Sequence, residues 1–216
     1  MTTKHPNGSH DARRKVMSAR HSTKIALAVT CLVALAAGSA ALARTPGQPN
    51  ATSTTAPLYT RVLSLGDLKG FWSVTCPVAE TTAAQWSTHS GSESDLSRNG
   101  FVNGLREPLR SSGSSVQAWS AVAQFKTAAG ARREALSELG RAPAGAVARF
   151  AVPQIPGSRG YSLADGRSSR ITVGFTEGRF QYVIEIRGVG ASDAAVLRAR
   201  LTAAAVALYE RAQAQS

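Results

Sequence analysis

The sequence predicts an α+β domain: a mainly antiparallel sheet of about six strands with helices on one face, preceded by an N-terminal apolar export segment. Two stretches, 170–176 and 180–187, alternate apolar and polar residues around a two-residue turn, which is typical of an antiparallel hairpin. The stretch 127–141 and the segment that follows Ser192 instead space their apolar residues for helices. Residues 25–43 contain no charged side chain at all.

The uncharged stretch at 25–43 follows an arm with six basic residues and one acidic residue. Such a cationic flank stays on the cytoplasmic side, so we expect the chain downstream to be translocated. Ala43 closes a small-x-small triplet that fits signal peptidase, and cleavage there would leave Arg44 as the first residue. The alternative is a retained signal-anchor, which would hold the protein on the membrane. In either case residues 44–216 are extracytoplasmic, in a secreted or a membrane-anchored protein.

The rest of the chain divides into a tether and one domain. Residues 44–57 contain Pro, Gly, Ser and Thr and almost nothing to bury, so we expect a flexible tether. Residues 58–216 are enough for a single domain with its own core. Downstream of Ala43, 19 basic and 12 acidic residues give a net charge near +7. That charge favours an anionic partner, while export and the lack of a basic helix or RNA-binding aromatic motif argue against nucleic acid.

The first half of the domain contains short elements separated by polar stretches. We expect a helix or docking segment at 58–68, a strand at 71–74, a short helix at 80–86, and hairpin strands at 101–109 and 116–125. In the second hairpin strand, Trp119 and Phe125 share one face by period two. We therefore expect Trp119 in the core and Trp86 to be the most exposed of the tryptophans.

The helix at 127–141 follows from its apolar spacing. Its stripe includes Leu136 and Leu139, and the same helical period leaves Glu134 and Glu138 to face water. Gly140 supplies a stop for this helix.

The remaining elements complete the sheet and cover it. Short strands at 147–152 and 161–163 flank a segment with Pro and Gly, which bars a long helix there. Ser192 can cap the final helix. That helix presents one apolar stripe to the sheet: Leu197, Leu201, Ala204 and Leu208.

The chain downstream of the leader offers little catalytic chemistry. Cys76 is its only cysteine and His89 its only histidine, and no zinc, calcium-loop, dinucleotide or P-loop spacing occurs. We interpret His89 as a solvated loop residue and Cys76 as a buried thiol at a strand end, with an intermolecular disulfide as the alternative for Cys76. No catalytic, cofactor-binding or metal-binding residue is assigned. A non-enzymatic domain is favoured over a hydrolase or transferase with a site assembled from scattered residues.

Four arginines fall on the polar faces of predicted strands: Arg106, Arg110, Arg170 and Arg187. If their strands are neighbours, these side chains form a cationic patch on the open face of the sheet. The alternative is that Glu107 and Glu185 pair with them and make an ordinary ion-pair surface.

The leader and tether, the segment Leu65-Gly66-Asp67-Leu68-Lys69-Gly70-Phe71, and the pattern of 171–187 followed by an Ala-rich helix resemble exported α+β domains of actinobacteria. The resemblance is to mycobacterial-type envelope lipoproteins and extracellular sensor domains of kinases, some with Mog1/PsbP-like folds. It implies an envelope location and a sensor-like domain that binds a ligand or partner, such as an envelope protein, anionic lipid or wall polymer. A structural envelope component is the other reading. The resemblance assigns no residue a role.

Overall fold

The structure is a computed structural model that describes residues 56–111, 115–141, 146–165, 168–189 and 194–216. The export segment predicted at 25–43, the tether up to residue 55 and the cap predicted at Ser192 lie outside these residues. Within them, no helix combines the length and apolar character needed to cross a membrane.

Helices and strands alternate irregularly along the domain. The helices are α1 (Ala56–Tyr59), α2 (Ala83–Ser87), α3 (Glu93–Asn99), α4 (Ala128–Gly140) and α5 (Ala194–Gln213). The strands are β1 (Phe71–Ser73), β2 (Val78–Glu80), β3 (Phe101–Ser111), β4 (Gln117–Phe125), β5 (Ala146–Phe150), β6 (Arg159–Asp165), β7 (Ser168–Glu177) and β8 (Phe180–Val189). Both predicted hairpins, β3–β4 and β7–β8, are confirmed.

All eight strands form one antiparallel sheet in the order β1-β3-β4-β8-β7-β6-β5, with β2 also paired to β3. The α+β class is confirmed. The sheet is larger than the six strands expected, partly because β2 has only three residues and is too short to show alternation. The helix predicted at 80–86 therefore starts too early, because Glu80 is the last residue of β2.

Helices pack on both faces of the sheet, although the sequence predicted helices on one face only. Successive residues of β8 point to opposite faces. Tyr182 lies on the face covered by α5, since its ring stacks on Phe175, which in turn meets Tyr209 of α5. Gln181 lies on the other face, where its amide donates to Glu138 of α4. We call these the α5 face and the α4 face.

The α5 face holds the larger core. The predicted stripe of α5 is buried as expected: Leu197, Leu201, Ala204 and Leu208. The segment at 58–68 docks on the same core through buried Leu58, Leu63 and Leu68, mostly without helical structure. Arg211 of α5 fastens this segment by two hydrogen bonds to the Asp67 carboxylate, at 2.9 and 3.1 Å.

The α4 helix lies close to the sheet because Gly174 leaves room for it. A Cβ on Gly174 would stand 2.4 Å from Leu139 Cδ1. The helix is rotated relative to the prediction: Leu136 is 51% exposed, whereas Glu134 is only 1% exposed. Helical spacing alone predicted that Glu134 would face solvent. The carboxylate is instead buried because it has a partner inside the protein: the buried Asn99 amide donates to Glu134 Oε2 at 2.8 Å.

Candidate functional site

Half of the α4 face is not covered by any of the helices that the structure describes. Strand register places five side chains of this half side by side, from β1 across β3, β4 and β8 to β7: Trp72, Arg110, Gln117, Arg187 and Arg170. We call this set the arginine row. Its four steps between neighbouring strands give it a length of roughly 19 Å. Arg110, Gln117 and Trp72 are exposed, and Arg170 and Arg187 have 36% and 42% of their side chains exposed.

A second set of register partners lies one step nearer the helices. These residues are Trp119, Glu185, Thr172, Tyr161 and Arg149, and we call them the inner row. Its single carboxylate is that of Glu185, which lies two residues before Arg187 on β8 and therefore points to the same face of the sheet. Together the two rows contain four arginines and one glutamate, a net charge of +3 for these ten residues.

Glu185 holds Arg170 and Arg187 in place. Its Oε1 lies 3.4 Å from Arg170 Nε and 3.6 Å from Arg187 Nη2, and Thr172 Oγ1 donates to Oε2 at 3.2 Å. Burial raises the pKa of Glu185, while Arg170 and hydrogen bonds from Trp119 and Thr172 oppose that rise. A carboxylate at this position offsets the repulsion between two arginines that face each other directly across β7 and β8.

The arginine row borders a small depression at the ends of the strands. A cavity of about 280 Å³ lies there, with Arg110, Gln117, Trp119 and Arg187 in its wall. A guanidinium presents five N–H donors in a planar fork that matches carboxylate or phosphate oxygens. The arrangement can therefore bind anionic groups, with aromatic surface from Trp72 at one end of the row.

The structure separates Arg106 from the other three arginines of the predicted patch. Arg106 lies one step beyond the inner row, with its Nε 3.3 Å from Glu80 Oε1 and its guanidinium carbon 4.3 Å from the ring centroid of Trp86. Glu107 faces the opposite side of the sheet, where Ser73 hydrogen-bonds to it. Glu185 is therefore the carboxylate that pairs with the row.

Trp86, which was expected to be the most exposed tryptophan, is buried, and Trp119, which was expected in the core, is only half-buried. Trp86 is 3% exposed and Trp72 is 42% exposed. Trp86 is buried because its ring lies against Gly104 of β3, where a Cβ would come within 2.1 Å of ring carbon Cζ3. A glycine inside a strand often marks such a close approach, so Gly104 was the sequence signal for it.

The two candidate reactive residues are both on the surface. Cys76 is exposed in the connection between β1 and β2, so the expectation of a buried thiol was wrong. The reason is that β1 ends at Ser73, and the chain has left the sheet before it reaches Cys76. His89 has a 55% exposed side chain with Nε2 3.6 Å from Glu80 Oε1. Across the described residues, no three His, Cys, Asp or Glu side chains are grouped to hold a metal ion.

One carboxylate that the sequence assigned to solvent occupies a polar cleft beneath α4. Glu138 Oε2 accepts from Gln181 Nε2 at 2.5 Å, and its Oε1 accepts from the Ser90 hydroxyl. Protein atoms surround Glu138 on most sides although it keeps some solvent access, as at the bottom of a cleft. Burial raises its pKa to about 7, with a smaller contribution from the Glu134 carboxylate, and Gln181 and Arg106 oppose the rise.

Comparison with known proteins gives a weak structural likeness. No family model matches the chain, and no curated protein matches it. Among solved structures, the chain is similar to the extracellular domain of PknH from Mycobacterium tuberculosis. The two sequences are 11% identical, the match covers 72% of this chain and 96% of that one, and the TM-score is 0.49.

Proposed function

We propose that this protein is an extracytoplasmic, non-enzymatic domain that binds an anionic polymer of the cell envelope along the arginine row. The observation that carries the proposal is the pair Arg170 and Arg187, held side by side by Glu185 on the half of the α4 face that none of the described helices covers. The export segment predicted at 25–43 supports the extracytoplasmic location.

The shape of the row favours an extended polymer over a compact ligand. Its three cations are spread along roughly 14 Å of sheet surface, the three steps from β3 to β7, with Arg110 separated from Arg187 by one intervening strand. A chain with repeated phosphate or carboxylate groups can meet several of these guanidiniums at once, whereas a single small anion meets one or two. Trp72 at the end of the row offers a flat face on which a sugar ring can stack.

The contact with Glu185 also limits how tightly an anion binds. Arg170 engages Glu185 through Nε, so an incoming anion competes with a carboxylate that is already in place. Exposed charge pairs of this kind are screened by salt, because the Debye length is about 8 Å at physiological ionic strength. We therefore expect binding that weakens steadily as salt is added.

The test compares two charge reversals that change the net charge equally. Arg187→Glu removes a central cation of the row, and Arg132→Glu makes the same change at an exposed position on α4 outside both rows. Sedimentation with purified wall material at two salt concentrations should show about tenfold weaker binding, or worse, for Arg187→Glu, which corresponds to about 1.4 kcal/mol. Arg132→Glu should bind like the wild type.

Equal losses in the two variants would mean that only overall charge matters, and the arginine row would be refuted as the site. Preferential binding of the wild type to vesicles of anionic phospholipid, with no retention by wall material, would replace the polymer with a lipid headgroup. Circular dichroism of each variant confirms that the fold is kept.

A further inference from the structure

The α5 face carries a large groove that the proposed function does not use. The groove has a volume of about 1000 Å³ and lies between α5 and the β5–β6 end of the sheet. It forms because α5 packs on β7 and β8, while the strands beyond β7 extend past the helix. Its apolar lining includes Phe150, Pro153, Ile171, Ala199, Ala203 and Val206.

The groove is long and narrow. Lining residues of α5 run from Ala194 to Glu210, so the groove follows about 24 Å of helix. A volume of about 1000 Å³ over that length gives a mean cross-section of about 40 Å². An α-helix with its side chains is about 10 Å across, so it would enter this open groove only in part, whereas a single hydrocarbon chain is thin enough to lie within it along its whole length.

The α5 side of the groove offers an extended peptide few hydrogen-bond partners. Each peptide residue brings one N–H donor and one C=O acceptor that need partners when buried. The groove offers few uncharged polar side chains, namely Gln154, Ser162 and Thr202, and the backbone groups of α5 in its wall are already used within the helix. A hydrocarbon chain is thin and brings no polar group that needs a partner, so it suits this lining better than a peptide does.

A cationic side chain at one end of the groove and an anionic one at the other favour one orientation of a charged occupant. Arg198 lies near the start of α5, with its guanidinium carbon 4.1 Å from the ring centroid of Phe150. Glu210 lines the other end, about 18 Å further along the helix. We infer that the groove binds a single-chain amphiphile with an anionic head group, whose head meets Arg198 and whose chain runs along the alanine-lined wall of α5. This site is on the opposite face from the arginine row and does not depend on it.

Binding of a dansyl-labelled undecanoic acid to the purified full-length protein tests this inference. Ala203→Trp fills the groove, and Val196→Trp adds the same ring at a position of α5 that is 54% exposed and outside the lining. Ala203→Trp should weaken probe binding about tenfold or more, while Val196→Trp should bind within about twofold of the wild type. Because both variants keep residues 25–43, any uptake of the probe by that apolar segment cancels in the comparison.

A second variant and two competitors sharpen the result. Arg198→Ala should weaken the anionic probe and remove its advantage over dodecyltrimethylammonium, which has a chain but a cationic head. Palmitate should displace the probe, and inorganic phosphate should not. Equal binding by the two tryptophan variants would overturn the inference. So would a wild-type dimer that ignores the probe and dissociates in Ala203→Trp, because a second copy would then cover the groove. If Ala203→Trp fails to fold, Ala199→Trp takes its place.

Discussion

Replacement of Glu138 by Gln should make the protein's stability less sensitive to pH. Burial, reinforced by the Glu134 carboxylate, raises the pKa of Glu138 from 4.5 to about 7 in the folded state. A raised pKa means that folding favours the protonated form. The stability that this form provides is fully present below pH 4.5 and is lost as the pH rises through 7.

The size of the effect follows from the difference between the two pKa values. Each unit of difference corresponds to about 1.4 kcal/mol, so the full effect is about 3 kcal/mol. Linkage places about 2 to 3 kcal/mol of this between pH 5 and pH 8, because Glu138 in the unfolded chain is already mostly ionised at pH 5. A Gln side chain has the same shape and still accepts the hydrogen bond from Gln181, so it resembles the protonated acid.

Urea unfolding at pH 5 and pH 8 measures the difference. The gain of Glu138→Gln over the wild type should be about 2 to 3 kcal/mol larger at pH 8 than at pH 5. Glu93→Gln, which removes the same charge from an exposed position in the first turn of α3, should show no such change. The raised pKa of Glu138 would be contradicted if the stabilities of the two variants changed alike with pH, or if Glu138→Gln gained the same free energy of unfolding at both pH values.

Two further substitutions test the packing and the docking segment. Gly104→Ala should destabilise the protein by about 1 to 3 kcal/mol in urea unfolding, because its Cβ would collide with the ring of Trp86. Gly66→Ala, whose Cβ would meet nothing closer than 3.6 Å, should cost much less. Burial raises the pKa of Asp67, but hydrogen bonds, chiefly from Arg211, outweigh it and bring the pKa below 3.8. Asp67→Asn should therefore cost about 1 to 3 kcal/mol at pH 7, and this cost should disappear in acid as the wild-type carboxylate becomes protonated. A cost that persists unchanged at pH 2 would contradict the ion pair.

The alternation of polar and apolar residues determined the elements with regular periods. The β7–β8 hairpin and the buried stripe of α5 follow from spacing alone, because the period of a strand or helix decides which residues share a side. The same rule put Arg110, Arg170 and Arg187 on polar faces of their strands.

Only the tertiary structure decided which of these faces meet. The arginine row exists because β3, β4, β8 and β7 are neighbours in one register, and pairing between distant strands leaves no trace in the period of any one strand. The burial of Glu138 and the exposure of Cys76 have the same origin. The carboxylate of Glu138 is buried because Gln181 of β8 supplies a hydrogen bond to it. The thiol of Cys76 is exposed because β1 ends at Ser73, before the chain reaches it. Glu138 and Gln181 are 43 residues apart in the sequence, so only the folded chain brings them together.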